Sequence, residues 1–304
     1  MNTRVPVDAA GAVALIGFSL LLGFNQVVIK VGNDGFQPVF AAALRSLGAA
    51  ALLLAWMRWR GVALRIEPGS ARLGLLLGGM FSLEFLLLFT ALDLTTVSRT
   101  SVIFYTMPVW TTLAAHFLLA GEHLSAGKLA GLAMAFVGVA LALTSGRPAG
   151  GEASLAGDLC ALGASFCWTG IALTARAPAM GRVSPEMQLL WQTAVSGPLL
   201  LVASLAFGPL IRELAPIHVA GLVFQIVAVA FAGFLLWFWL LARYRAGQVA
   251  AFGFLSPIFG TFLGWALLGD HVGPSLLAAV VLVALGLLLI NRPAGGFRFR
   301  RTSA

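Results

Sequence analysis

Charge is scarce. Asp, Glu, Lys and Arg make up 10% of the 304 residues, against 60% hydrophobic. Soluble domains run nearer a quarter charged, so a water-facing surface along the whole chain is excluded. A mean hydropathy of +0.97 points to many membrane spans and not to one anchor. Cysteine is almost missing. Cys160 and Cys167 are seven apart in one apolar run, a spacing of neither a CxxC redox pair nor a zinc knuckle, which leaves helix packing as their role. The four histidines are scattered, so none joins carboxylates in a metal site. Nor do His, Asp and Glu gather at one membrane face, as an integral-membrane lipid-modifying enzyme would need. A Walker A motif for ATP hydrolysis is lacking too. The expectation is a chain that is not an enzyme and uses no metal and no cofactor. The first apolar run is followed by no small-residue cleavage site and continues into Lys30, so it is not read as a cleavable signal peptide.

What is present is apolar sequence in lengths that span a bilayer. A helix needs roughly 20 apolar residues to cross the hydrocarbon. Ten such runs lie at about 9–29, 38–57, 72–92, 97–119, 126–145, 154–176, 185–207, 216–241, 247–268 and 272–291. Turn chemistry separates them, as in VGNDGFQP, RWRGVALRIEPGS and SGRPAGGEAS. Only LDLTT parts the third run from the fourth, which makes that pair a tight hairpin.

With both termini cytoplasmic, fourteen of the 19 basic residues fall on the inner side. These are Arg4, Arg58, Arg60, Arg65, Arg72, Lys128, Arg176, Arg182, Arg243, Arg245, Arg292, Arg298, Arg300 and Arg301. Three, Lys30, Arg147 and Arg212, fall on the outer side. That asymmetry sets the orientation and suits an even number of spans. It also accounts for the net charge of +8, so no nucleic acid is expected as a partner. The tail GGFRFRRTSA reads as an anchor on anionic lipid.

The two halves resemble each other. Pro38 to Arg45 and Pro185 to Gln192 share one seven-residue spacing. PVWTTLAAHFLLAGEH, from Pro108, resembles PIFGTFLGWALLGDH, from Pro257, if one residue is skipped. The expected fold is therefore an all-α membrane protein of ten transmembrane helices in two inverted five-helix repeats. The repeats are 1–145 and 154–291, with a linker at 146–153 and a basic cytoplasmic tail at 292–304. Five is odd, so the second copy enters the membrane upside down. Secondary transporters commonly have this arrangement and bind substrate near the midplane, between the repeats.

At the level of motifs, FNQVVIK…QPVFAAALR, FTALDLTT…TMPVWTTLAAHFLLAGEHLS, GDLCALGASFCWTG and SPIFGTFLGWALLGDHVG resemble the EamA-type branch of the drug/metabolite transporter superfamily. SLEFLLLFTAL, IFYTMP and FCW before TG are similar to the YddG-type aromatic amino acid exporters, although Leu22 stands where the family pattern usually has tryptophan. The resemblance covers about 10–291. It implies ten helices, cytoplasmic termini, and export of small metabolites or amino acids across a bacterial inner membrane. The nearest alternative within the superfamily is sugar-phosphate or nucleotide exchange. Such cargo would want several buried basic residues, and only Arg45 is deep. Small-molecule substrate and lipid bilayer are the partners; nothing calls for an oligomer, so a monomer suffices.

Ionisable groups inside a span cost at least about 2.5–3.5 kcal/mol at the helix centre, and by default are functional candidates. Arg45 and Glu84 qualify, at similar depth on sequential helices. Glu84 is a candidate site for a substrate amine or a proton, with an ion pair to Arg45 as the structural alternative. Arg45, which stays charged, is read as a helix-to-helix clamp onto carbonyls or a carboxylate, with Gln192 as its repeat mate. Asn25, Phe81, Tyr105, Trp168 and Trp191 complete the candidate substrate-binding set with Glu84 and Gln192. Tyr105 and Trp168 stand out because each pairs an apolar ring with one hydrogen-bond donor. Trp237 and Trp239, two apart on a helix, face different ways, so at most one lines a path. Gln225 and Gln248 are further candidates for that path. Lys30 is expected to snorkel at the outer interface, and Arg99 and Asp158 to be rim or capping residues. Pro108 and Pro257 occupy matching places in the two repeats. Each removes a backbone donor, and together they are candidates for paired structural or gating kinks. Glu122-His123 and Asp270-His271 look like matching turn chemistry.

Overall fold

A computed structural model describes residues 5–118, 124–144, 154–244 and 246–291. Glu122, His123, Arg4, Arg147, the 146–153 linker and the 292–304 tail lie outside the described residues. Within them the regular structure is helical, with two isolated β-bridges and no strand. Ten helical segments follow in order: α1 (Ala9–Gly35), α2 (Pro38–Trp59), α3 (Ala71–Leu94), α4 (Val97–Leu118), α5 (Ala126–Thr144), α6 (Leu155–Ala175), α7 (Pro185–Ser204), α8 (Pro216–Leu241), α9 (Gln248–Leu268) and α10 (Pro274–Ile290). Eight of them are long and apolar enough to cross a membrane by length and composition. The two outside that count are α10, which has 17 residues, and α7, which carries Glu186, Gln188, Gln192, Thr193 and Ser196.

Local chemistry sets where the helices begin. The Asp8, Gln37, Thr96, Ser154 and Ser184 side chains each accept a backbone N–H from the first turn of the helix that follows, satisfying a donor that the helix leaves orphaned. Pro38, Pro185, Pro216 and Pro274 open α2, α7, α8 and α10, where a missing N–H costs nothing. The first helix outruns its apolar stretch, continuing through Gly32-Asn33-Asp34 to Gly35. The expected turn GNDGFQ shrinks to an extended Phe36 and the Gln37 cap. Asn33 makes this possible by donating its Nδ2 to the Phe89 carbonyl of α3, 3.0 Å away, so a turn-prone residue serves as an interhelical bond.

Two helices are broken at matching places. α4 divides into Val97–Phe104 and Met107–Leu118 around Tyr105 and Thr106, just before Pro108. In α9, the helix up to Ala251 gives way to a 3₁₀ turn at Phe252–Phe254 and then to Leu255–Leu268, which contains Pro257. A third irregularity is a π-helical stretch, Gln225–Gly233, inside α8; such stretches often mark functional sites.

Packing crosses between the halves. α3 lies against α6 and α7, α2 against α7 and α8, α1 against α8 and α9, α4 against α6 and α9, and α5 against α10. Moving each helix number by five converts these pairs into one another, so the contacts have the pattern of a two-fold relation. Close approach needs small residues where backbones touch. A methyl added at Gly131 or Gly286 would strike the other's carbonyl at the α5–α10 contact, and one at Gly260 would strike Ser101 where α9 crosses α4.

Candidate functional site

One cavity, of about 670 Å³, opens among the C-terminal part of α6, the start of α7 and the end of α8. Trp168, Phe234 and Trp237 give it aromatic walls; Gln188 and Gln192 give it amides; Arg176 stands among its lining residues. Gln188 spends both Nε2 hydrogens on the Met180 and Val183 carbonyls, at 3.1 and 3.2 Å. Gln192 donates to the Gln188 carbonyl at 3.4 Å. Both donors point to backbone, which leaves the two amide oxygens as acceptors. Of the expected substrate-binding residues, Trp168 and Gln192 meet here. Gln188 went unnoticed in the sequence, although it lies one helical turn before Gln192 and shares its face. Trp237 lines the cavity while Trp239 is exposed and edges onto Tyr244.

A second group is buried deeper. Arg45 on α2 and Glu84 on α3 are 2% and 1% exposed. The Arg45 guanidinium carbon lies 4.2 Å from the centroid of Phe85, and Phe85 is packed 4.5 Å from Phe81. The expected clamp is not formed. Among the described residues Arg45 meets no carbonyl or carboxylate: its Nε and Nη1 have no hydrogen-bond partner, and the pair with Glu84 is not closed to salt-bridge distance. The reason is local, because the planar cation is spent on a ring face instead. Glu84 Oε2 also has no partner. Nearby on α1, Gln26 Oε1 accepts from Ser101 Oγ at 2.8 Å. Gln26 also lies beside the hydroxyl of Tyr105, buried at the α4 break. Asn25 is buried with its Oδ1 unpaired. Trp191 packs over Gly74 of α3, its indole N–H without an acceptor. Asn25, Phe81, Glu84, Tyr105 and Trp191 are absent from the lining of the 670 Å³ cavity.

The far end of the bundle is held by a set of polar contacts. Arg212, on the segment between α7 and α8, holds Asp93 at the end of α3 with two bonds, of 2.7 and 3.0 Å, and donates to the Asn33 carbonyl at 2.9 Å. The Asp93 bond raises the Arg212 pKa further above its ordinary value. Backbone bonds from Arg212 to Gly35, from Glu213 to Asp34 and from Gln37 to Leu210 lay the same segment across the end of α1. Lys30 donates to the Thr95 carbonyl, at the same end of α3, at 3.1 Å.

Arg99 and Asp158 are not rim residues. They form a buried ion pair with contacts of 2.5–3.2 Å, and Arg99 also donates to the Ala142 carbonyl while Asp158 accepts from Thr95. The pair ties α4 to α5 and α6. Gln248 accepts from the Val7 N–H at 2.9 Å and so tethers the chain before α1. Asp270 accepts from the Ser98 N–H at 2.7 Å, fixing the end of α9 to the start of α4. Among the described residues no group of three His, Cys, Asp or Glu could hold a metal.

The sequence pattern of the EamA-like transporter family matches twice, over residues 9–144 and again over 155–292. The chain is 29% identical over 300 residues to a probable amino-acid metabolite efflux pump of Salmonella typhimurium, covering 94% of this chain and 97% of that one. It is 24% identical over 278 residues to the uncharacterized transporter YoaV of Bacillus subtilis, covering 90% and 94%. A solved crystal structure shares the fold, with a TM-score of 0.66 at 20% identity, covering 92% of this chain and 97% of that one.

Proposed function

We propose, since the chain belongs to the EamA-like transporter family, that it is a secondary transporter exporting small amphipathic metabolites, amino acids and aromatic ones among them, by alternating access. The observation that carries this is the cavity between α6, α7 and α8, whose aromatic walls and amide acceptors suit a solute with an apolar body and a polar head. The name of the Salmonella relative supports amino-acid metabolites as the class.

Ten membrane crossings in two inverted five-helix repeats, 1–145 and 154–291, fit the doubled family match and the exchange of contacts between α1–α5 and α6–α10. In that topology α7 and α10 cross with the other eight helices, and both termini face the cytoplasm of a bacterial cell, inside its inner membrane. The cavity then opens inward, beside Arg176, Arg182 and Arg243, and the Arg212–Asp93 end closes the outer side. The paired breaks before Pro108 and Pro257 are where the helices would bend as access alternates.

The test is efflux of labelled phenylalanine and tryptophan from proteoliposomes, with and without a pH gradient. Saturable efflux that falls at least several-fold on Trp168→Ala or Gln192→Ala is expected. Efflux equal to that of protein-free vesicles contradicts the proposal. Loss of any pH-gradient dependence in Glu84→Gln would assign a proton to Glu84; unchanged dependence would remove it from that role.

A further inference from the structure

Two ionisable side chains, Arg45 and Glu84, stand in the buried centre with polar atoms that have no hydrogen-bond partner. A buried charge is tolerated when it is paired and hydrogen-bonded. Arg99 and Asp158, at similar burial, meet that condition with five hydrogen bonds. Arg45 and Glu84 do not. Arg45 Nε and Nη1 make no hydrogen bond among the described residues, and Glu84 Oε2 makes none either. They lie on neighbouring helices, and no ion pair closes between them. Arg45 and Glu84 therefore present donors and an acceptor that neither side chain spends on the other. Phe85 lies under the Arg45 guanidinium and packs at a tilt against Phe81. The helix that carries Glu84, α3, packs against α6, whose Trp168 lines the cavity.

We infer that Arg45 and Glu84 form a head-group site for a zwitterion: the guanidinium takes a carboxylate through parallel N–H bonds, and the Glu84 carboxylate takes the ammonium of the same molecule. The pair recognises the polar end of the cargo, and the aromatic cavity its body. This deepens the transport reading above and rests on it. The same geometry explains why the two side chains are not closed on each other, since a direct ion pair would occupy the donors and acceptors that a zwitterion needs.

The test compares three solutes with one aromatic body on the purified full-length protein: L-phenylalanine, 3-phenylpropionate, which lacks the amine, and 2-phenylethylamine, which lacks the carboxylate. Binding is read by thermal stabilisation and by competition with labelled phenylalanine. Wild-type protein should bind phenylalanine at least 10-fold more tightly than either analogue. Arg45→Gln should erase the advantage over phenylethylamine, and Glu84→Gln the advantage over phenylpropionate, so each variant moves one comparison only. Arg45→Lys and Glu84→Asp keep the charges, should keep the rank order, and serve if the neutral variants do not fold. Equal wild-type binding of all three overturns the inference while leaving the transport reading intact. So does an equal loss for all three in both neutral variants. No binding of any of the three overturns both.

Discussion

The guanidinium carbon of Arg45 lies over the Phe85 ring, 4.2 Å from its centroid, and this is its one directed contact among the described residues. A desolvated cation–π contact contributes about 2 kcal/mol. Phe85→Leu should therefore destabilise the protein by about 1–2 kcal/mol more than Phe89→Leu, a buried phenylalanine without a cation over it. Unfolding of the purified variants in detergent measures the difference; equal losses would mean that the contact contributes nothing.

The Arg99–Asp158 pair holds α4, α5 and α6 together without solvent. Removing one partner strands the other charge, at a cost of about 3–5 kcal/mol. Asp158→Asn and Arg99→Met should each lower the melting temperature sharply. Arg99→Met with Asp158→Leu should lower it less than either alone, because no charge is left unpaired. A double variant as damaged as the sum of the singles would contradict this.

At the opposite end, the Arg212–Asp93 pair is partly exposed, so it adds at most about 1 kcal/mol to stability. Its effect should appear in access instead. Ser204 is fully buried near this end, its carbonyl held by Gln37. In a protein with Cys160 and Cys167 replaced by serine, Ser204→Cys should react slowly with a membrane-impermeant maleimide. Adding Arg212→Gln should speed labelling several-fold, and the charge swap Arg212→Asp with Asp93→Arg should slow it again. Labelling indifferent to all three would show that this contact does not hold the end closed.

Asp8 caps α1 and also receives the Tyr244 hydroxyl, at 2.8 Å. The Gly11 N–H, and after it the Tyr244 hydroxyl, lower its pKa below the ordinary 3.8. A folded-state value below the unfolded one gives stability that is fully present above the unfolded pKa and is lost as pH falls through the folded pKa. Wild-type protein should therefore lose stability below about pH 4 more steeply than Asp8→Asn. Unfolding curves through that range should diverge at higher pH and converge toward the acid end; parallel curves would contradict this.

Much of this architecture was legible from residue patterns, because apolar run length and turn chemistry act locally. Pro38, Pro185 and Pro274 mark their helix starts within a residue or two, and Pro108 and Pro257 sit beside real helix breaks. What was not legible depended on partners distant in sequence. Asn33 reads as a turn residue until Phe89 is seen to accept its amide. Arg99 and Asp158 look like surface residues because each stands at a helix start, while their partners, Ala142 and Thr95 as well as each other, are distant in sequence. Arg45 reads as a clamp because guanidinium favours carboxylates, whereas the three-dimensional packing gives it the Phe85 face. Gln188 shares a helix face with Gln192, but its importance rests on the Met180 and Val183 carbonyls that orient it.

Counterflow tests transport most directly. Proteoliposomes loaded with unlabelled phenylalanine, and diluted into a trace of labelled phenylalanine, should accumulate label transiently above equilibrium, with saturation as the external concentration rises. Uptake that is linear in concentration and indifferent to the internal load would contradict a carrier with one site exposed to alternate sides.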